Sequence, residues 1–89
     1  MDTNGSNIAE QVRDYVARNL LFSERGFNYD DDASFLNEGI IDSLGVIELV
    51  TFVEQRFGIS VADNELVPDN LDSVKKLEIY IRYKLGTRV

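Results

Sequence analysis

Residues 38–45 read Glu38-Gly39-Ile40-Ile41-Asp42-Ser43-Leu44-Gly45, and a strongly apolar segment follows at residues 46–57. Asp42 is well suited to cap a helix, because its carboxylate can accept a hydrogen bond from a backbone N–H of the next turn. Ser43 then lies where unpaired backbone donors and the positive end of the helix dipole point outward. A phosphate ester on its hydroxyl would be stabilised there by about 0.3–1 kcal/mol. The position therefore suits a phosphate-linked group better than catalysis, although Asp-Ser-Leu alone would indicate ordinary capping.

The apolar spacing predicts a helix over residues 43–57 with two different faces. One face is a continuous apolar stripe that should face the core: Val46, Leu49, Val50, Val53 and Phe57. The opposite face carries Leu44, Ile47, Glu48, Thr51 and Gln55. Leu44 and Ile47 are apolar but do not belong to the core stripe, so we expect both to be partly exposed beside Glu48. Such an exposed apolar pair beside an acidic residue is typical of a surface that docks partners. The alternative is that Ile47 covers the preceding loop.

Gly45 lies in the first turn of this helix, where glycine costs about 1 kcal/mol relative to alanine. Two explanations are open. The glycine keeps the approach to Ser43 clear, or it lets Phe52 pack closely.

Three further helices are predicted along the chain. The first spans residues 7–20, with Asn7 and Glu10 as a capping-box variant. A short helix is expected at residues 62–67 and is ended by Pro68. The last spans residues 73–85, capped by Asp72 or Ser73 and ended by Gly86. The fold class is therefore all-α, a single domain over residues 1–89 with three main helices, one short helix and a long first loop.

The loop contains Asp30-Asp31-Asp32, which invites a calcium interpretation. An EF-hand loop that starts at Asp30 would need glycine at its sixth position and glutamate at its twelfth. The chain has Phe35 and Ile41 there. We therefore predict a solvated acidic turn, and no metal site.

The composition excludes several kinds of catalysis. The sequence has no cysteine and no histidine, so it lacks a thiol nucleophile, a zinc-binding cysteine cluster and the usual general base. Ser43 cannot belong to a Ser-His-Asp triad, and Ile41 stands where a nucleophile elbow requires glycine. We predict that the chain is not an enzyme.

The charge balance restricts the partners. Sixteen acidic and nine basic side chains give a net charge of −7, which opposes binding to nucleic acid or an anionic membrane and favours proteins with basic patches. The alternative is that this charge serves solubility alone. No apolar run is long enough for membrane insertion, and residues 1–6 do not resemble a signal peptide. A cytoplasmic location is expected. No sequence pattern encodes an oligomeric state, and a monomer is the default expectation.

Residues 38–49, Glu-Gly-Ile-Ile-Asp-Ser-Leu-Gly-Val-Ile-Glu-Leu, resemble the attachment region of acyl carrier proteins, including the discrete aminoacyl and D-alanyl carriers. The resemblance extends over residues 8–85. It implies that Ser43 receives 4′-phosphopantetheine from coenzyme A and that Asp42 is recognised by the transferase. The arm's thiol would hold an acyl or aminoacyl group as a thioester. Leu44, Ile47, Glu48 and Thr51 match positions that contact partners in this family.

The implied partners are a phosphopantetheinyl transferase, an acyl- or aminoacyl-adenylating ligase, and downstream acyl-transfer or condensing enzymes. These serve fatty acid, polyketide or nonribosomal peptide biosynthesis. The departures from fatty-acid carriers lie at Gly45, Thr51, Gln55 and Arg56. They favour a specialised carrier for a short acyl or amino acid group, and the bulk of Phe52 and Phe57 points the same way.

Two alternatives are open. One is a carrier for fatty-acid synthesis, and the other is an acidic protein-interaction module that is never modified. Met1 followed closely by a helix indicates a freestanding chain.

Overall fold

The computed structural model describes residues 6–86, and all regular secondary structure in that range is helical. Helix α1 spans Ser6–Tyr15 and continues as a π-helical turn at Val16–Leu20. Helix α2 spans Ser43–Phe57, α3 spans Pro68–Leu71 and α4 spans Val74–Gly86, with a 3₁₀ turn at Asp63–Glu65. The predicted all-helical bundle with a long first loop is confirmed.

The core lies where α1, α2 and α4 meet. Each helix contributes side chains that are almost completely buried: Val12 and Val16 from the α1 segment, Leu49 and Val53 from α2, and Leu77 and Ile81 from α4. The first loop adds Phe35, which has no exposed surface. Burial of a phenylalanine side chain contributes about 1.5–3 kcal/mol, so the loop is part of the core rather than a free linker.

The acidic turn of the loop is fixed to α1 and α4. Arg13 donates from one guanidinium nitrogen to both carboxylate oxygens of Asp31, at 2.8 and 3.0 Å. The Asp31 carbonyl accepts from the backbone N–H of Lys75 at 2.8 Å. Among residues 6–86 no cluster of three or more acidic side chains is arranged to hold a metal ion.

The start of α4 holds the loop in a second place. The Asp72 carboxylate accepts hydrogen bonds from the Ser34 hydroxyl and from the Leu36 N–H, the latter at 3.1 Å. Ser73 performs the capping, because its hydroxyl accepts from the Lys76 N–H at 3.0 Å. Of the two proposed caps, Ser73 therefore caps α4, and Asp72 ties the loop to it.

The short helix differs from the prediction. A 3₁₀ turn occupies Asp63–Glu65, and Pro68 begins α3 instead of ending a helix over residues 62–67. The reason is that proline suits the first position of a helix, where its missing N–H would be unpaired in any case. The predicted Asn7 cap concerns a side chain outside the described part of the chain. None of the described helices has both the length and the apolar character needed to cross a bilayer.

Candidate functional site

Helix α2 begins at a well-formed cap. Asp42 has an extended backbone, and its carboxylate accepts a hydrogen bond from the Gly45 N–H at 2.8 Å. The Asp42 carbonyl accepts from the Val46 N–H at 3.0 Å. These two bonds fix the first turn, so Ser43 is the first residue of a helix of 15 residues.

Ser43 is exposed and available for chemistry. Within residues 6–86 its hydroxyl has no hydrogen-bond partner, and the N–H groups of Ser43 and Leu44 are also free. Unpaired donors at a helix N-terminus, together with the helix dipole, favour an anion. A phosphate ester on the Ser43 hydroxyl therefore suits the unpaired N–H groups at this helix terminus. The neighbouring Asp42 carboxylate already accepts the capping hydrogen bond from Gly45.

The outer face of α2 is exposed where the sequence predicts it. Leu44 is 66% exposed and Ile47 is 54% exposed, with Glu48 and Thr51 also exposed. The Thr51 hydroxyl donates to the Ile47 carbonyl one turn earlier at 3.3 Å. Large apolar side chains with acidic neighbours are typical of a docking surface.

A pocket of about 200 Å³ opens beside Ser43. It lies between the start of α2, the first loop and the segment that leads into α3. Its walls are mainly apolar and are formed by Leu36, Val46, Ile47, Leu66, Val67, Pro68 and Leu71, with Ser43 and Asp72 as the polar members. Ile47 is thus half-exposed and also lines the pocket together with Leu36 of the loop, so neither its exposure on the outer face nor a position beside the loop is excluded.

Phe52 and Phe57 do not line this pocket. The Phe52 ring stacks on Tyr15 of α1 with centroids 4.1 Å apart, and it meets Phe57 edge-on at 6.4 Å. The bulk of these two rings therefore does not limit the space beside Ser43. The sequence argument that their bulk favours a short acyl group therefore does not apply to this pocket.

The need for glycine at position 45 comes from Ile41 and Asp42, and not from the approach to Ser43 or the packing of Phe52. A Cβ atom at this position would lie 3.2 Å from the Cβ of Ile41 and 3.4 Å from a carboxylate oxygen of Asp42. Ile41 is buried, so it has little room to move. The glycine thus permits close contact between the first turn of α2 and the residue before its cap.

One wall of the pocket is held by a polar cluster. A single carboxylate oxygen of Glu65 accepts from the Tyr80 hydroxyl at 2.8 Å, the Lys84 ammonium at 2.9 Å and the Ala62 N–H at 3.0 Å. The Ala62 N–H, Lys84 and Tyr80 together lower the pKa of Glu65 to about 2. Leu66 follows directly, so this cluster positions the pocket wall against α4.

The sequence analysis missed the pocket wall and a second groove on the other side of α2. The sequence signal for the pocket wall is an apolar pair, Leu66 and Val67, in an otherwise polar segment before Pro68, but it does not show where the pair lies. In the structure both residues are 39% exposed. The second groove contains Phe22, which is 80% exposed. No local pattern in the sequence indicates that Phe22 lies beside α2.

Comparison with known proteins gives a consistent result. The family described as "Phosphopantetheine attachment site" matches residues 10–81. The acyl carrier protein of Campylobacter hominis is 34% identical over 74 residues, which cover 83% of this chain and 89% of that protein. The acyl carrier protein of Brachyspira hyodysenteriae is 30% identical over 73 residues, or 80% of this chain and 92% of that protein.

The D-alanyl carrier protein of Abiotrophia defectiva is 29% identical over 57 residues, or 64% of this chain and 72% of that protein. The family match covers most of the chain, and two relatives at 30% identity or more are aligned over most of their own length. The chain therefore belongs to the phosphopantetheine attachment-site family, as a carrier protein with covalently attached 4′-phosphopantetheine and not as an enzyme.

Proposed function

We propose that the chain carries an acyl or aminoacyl group on 4′-phosphopantetheine attached to Ser43 and delivers it to partner enzymes in the cytoplasm. The observation that supports Ser43 most strongly is its position as the exposed first residue of α2, behind the Asp42 cap and within the family match. It lies at the N-terminus of α2, where backbone N–H groups lack intrahelical partners, and an apolar pocket opens beside it.

Attachment is a phosphoryl-group transfer from coenzyme A. The Ser43 oxygen loses its proton and bonds to the phosphorus that bears pantetheine, while the bond from that phosphorus to adenosine bisphosphate breaks. The sequence contains no histidine, so we assign activation of the hydroxyl to the transferase, with Asp42 as a recognition residue. Once attached, the arm supplies the thiol that holds the acyl group as a thioester.

The outer face of α2 is proposed as the docking surface for the enzymes that use the cargo. Leu44 and Ile47 supply apolar contact, Glu48 supplies charge, and Thr51 extends the face by one turn. Acidic charge steers the carrier to basic patches and still permits rapid release. The tethered arm then raises the local concentration of cargo at the docked enzyme. The partners are a phosphopantetheinyl transferase, an adenylating ligase that loads the arm, and an acyl-transfer or condensing enzyme.

The proposed cargo is a short acyl or aminoacyl group in a specialised pathway. An apolar cavity of about 150 Å³ is sufficient for benzene, so a pocket of about 200 Å³ accommodates a short chain. NMR spectra of forms that carry butanoyl and hexadecanoyl groups test this. Shifts of Leu66 and Val67 that are similar for both chains support a short-chain pocket. Additional large shifts of the core residues Leu49 and Leu77 with the long chain would contradict it and favour a fatty-acid carrier.

Intact mass spectrometry tests the site. Wild-type protein, Ser43→Ala and Ser60→Ala are incubated with coenzyme A and a broad-specificity phosphopantetheinyl transferase. Ser60 is the matched control, because it is also exposed but lies beyond α2. We expect the wild type and Ser60→Ala to gain one phosphopantetheine group and Ser43→Ala to gain none. A folded wild type that gains nothing, also with the transferase from its own source, would favour the unmodified interaction module.

A further inference from the structure

Phe22 has a strained backbone conformation and a large apolar side chain that is exposed to solvent. It directly follows Leu21, the C-cap of the π-helical turn Val16–Leu20, and has φ +53°, in the left-handed region. The Leu21 N–H donates to the Val16 carbonyl at 2.9 Å and the Ser23 N–H to the Ala17 carbonyl at 2.8 Å, so backbone hydrogen bonds hold the residues on either side of Phe22. Glycine usually occupies a helix-ending position of this kind, because a side chain there is strained.

The Phe22 side chain does not offset this strain by packing. Phe22 is 80% exposed as a residue, whereas Phe35 in the loop that follows is completely buried. A bulky residue with positive φ is a rare outlier, and such strain is concentrated at functional sites. The folded chain alone gains little from Phe22, which points to a contact with another molecule.

Phe22 lies at the edge of the second groove, on the side of α2 away from the apolar pocket. The groove includes Asp42, Leu44, Gly45 and Glu48 from the start of α2. Asp42 and Glu48 are its charged members, and none of the described residues that line it is basic. The groove thus has two exposed apolar side chains, Phe22 and Leu44, beside two carboxylates.

We infer that this groove docks the enzyme that attaches phosphopantetheine to Ser43, with Phe22 as a specificity-determining contact. The inference rests on the proposed attachment at Ser43. An enzyme that forms a bond to the Ser43 oxygen must cover the residues directly beside it, and Asp42 and Leu44 are in the groove. Enzymes that act later on the cargo share Leu44 and Glu48 and also have Ile47 and Thr51 to contact, and the long arm reaches them, so they need not contact Phe22. The fitting surface on the transferase is an apolar recess for Phe22 and Leu44, flanked by lysine or arginine opposite Asp42 and Glu48.

The test compares Phe22→Gly and Phe22→Asn with the wild type in two measurements, thermal stability and kcat/KM for phosphopantetheine transfer. Both substitutes tolerate the left-handed conformation. We therefore expect a melting temperature equal to or above that of the wild type, with kcat/KM about tenfold lower, because exposed aromatic anchors dominate interfaces. The final extent of modification at high transferase concentration should be unchanged. Ile79→Ala is the matched control, since Ile79 is 57% exposed on α4, and it should leave kcat/KM unchanged.

The outcomes separate the two proposals. A wild type that is never modified would refute attachment at Ser43 itself. A wild type that is modified at the same rate as Phe22→Gly and Phe22→Asn would overturn the Phe22 inference alone. Lower stability in both variants would show that Phe22 has a structural role and would also overturn it. Normal attachment but slower transfer of cargo to a later enzyme would assign the groove to that enzyme instead.

Discussion

The Asp42 carboxylate accepts a hydrogen bond from the Gly45 N–H at 2.8 Å. This one contact occupies the Asp42 side chain, sets the first turn of α2 and leaves the hydroxyl of Ser43 exposed between the two residues. The start of the helix and the candidate site are therefore parts of the same local structure. Changes at Asp42 and Gly45 should act on stability through this turn.

Replacing Asp42 with alanine removes the acceptor and should lower the free energy of unfolding by about 1 kcal/mol, the usual cost of losing a cap. In a domain of this size that corresponds to a fall of about 4–8 °C in melting temperature. Asp42→Asn is the control, because asparagine caps about as well as aspartate. Thermal denaturation followed by circular dichroism measures both. Equal losses in the two variants would show that the charge of Asp42, and not its hydrogen bond, stabilises the turn.

Gly45→Ala should destabilise the protein although alanine is the better helix former. The new Cβ would lie 3.2 Å from the Cβ of the buried Ile41, and overpacking costs about 1–3 kcal/mol, against a gain of about 1 kcal/mol in helix propensity. Gly86→Ala at the end of α4 is the control, since nothing lies within 4 Å of its Cβ position. Urea denaturation should show a net loss for Gly45→Ala and none for Gly86→Ala. A more stable Gly45→Ala would mean that Ile41 moves easily.

The Glu65 cluster should make stability depend on pH in the acid range. The Ala62 N–H, Lys84 and Tyr80 lower the pKa of Glu65 from about 4.5 to about 2. A carboxyl group whose pKa is lower in the folded state stabilises the protein above its unfolded pKa. That contribution is therefore complete above pH 4.5 and is lost as the pH falls toward 2. Tyr80 titrates far above this window, since burial and the bond to Glu65 raise its pKa.

Glu65→Gln tests this dependence. We expect the variant to be less stable than the wild type at pH 6 and the difference to shrink steadily as the pH is lowered from 5 to 2.5. Asp14→Asn is the control, because the pair between Asp14 and Arg18 is exposed and such pairs contribute little. Melting temperatures across the range provide the measurement. A difference that is independent of pH would show that the Glu65 charge does not contribute.

The parts of the structure that depend on neighbouring residues could be predicted from the sequence. Helix α2 is an example: Asp42 caps its start, and Gly58 ends it in the left-handed conformation with φ 68°. The exposure of Leu44 and Ile47 follows from the same periodicity. Pro68 shows the limit, because proline is compatible both with the residue after a helix and with its first position. In the structure Val67 is extended and the Asp72 N–H donates to the Pro68 carbonyl at 3.0 Å, so α3 starts at Pro68.

The parts that depend on distant residues could not be predicted. Glu65 meets Tyr80 and Lys84 across 15 and 19 positions of the chain, and no local pattern connects them. The same applies to Phe22 and Leu44, which share a groove although they belong to different segments. The pocket wall at Leu66 exists because the Glu65 cluster holds this segment against α4. Its position is a consequence of tertiary contacts alone.

The stack between Tyr15 and Phe52 should contribute to stability without affecting the cargo pocket. Their centroids are 4.1 Å apart with an angle of 11° between the rings, and aromatic pairs add about 0.5–1.5 kcal/mol beyond the area they bury. A double-mutant cycle with Tyr15→Leu and Phe52→Leu should give a coupling free energy of about that size. Because Phe52 does not line the pocket beside Ser43, Phe52→Leu should leave the NMR shifts caused by a butanoyl group at Leu66 and Val67 unchanged. Altered shifts at these two residues would show that the aromatic stack and the pocket are coupled through α2.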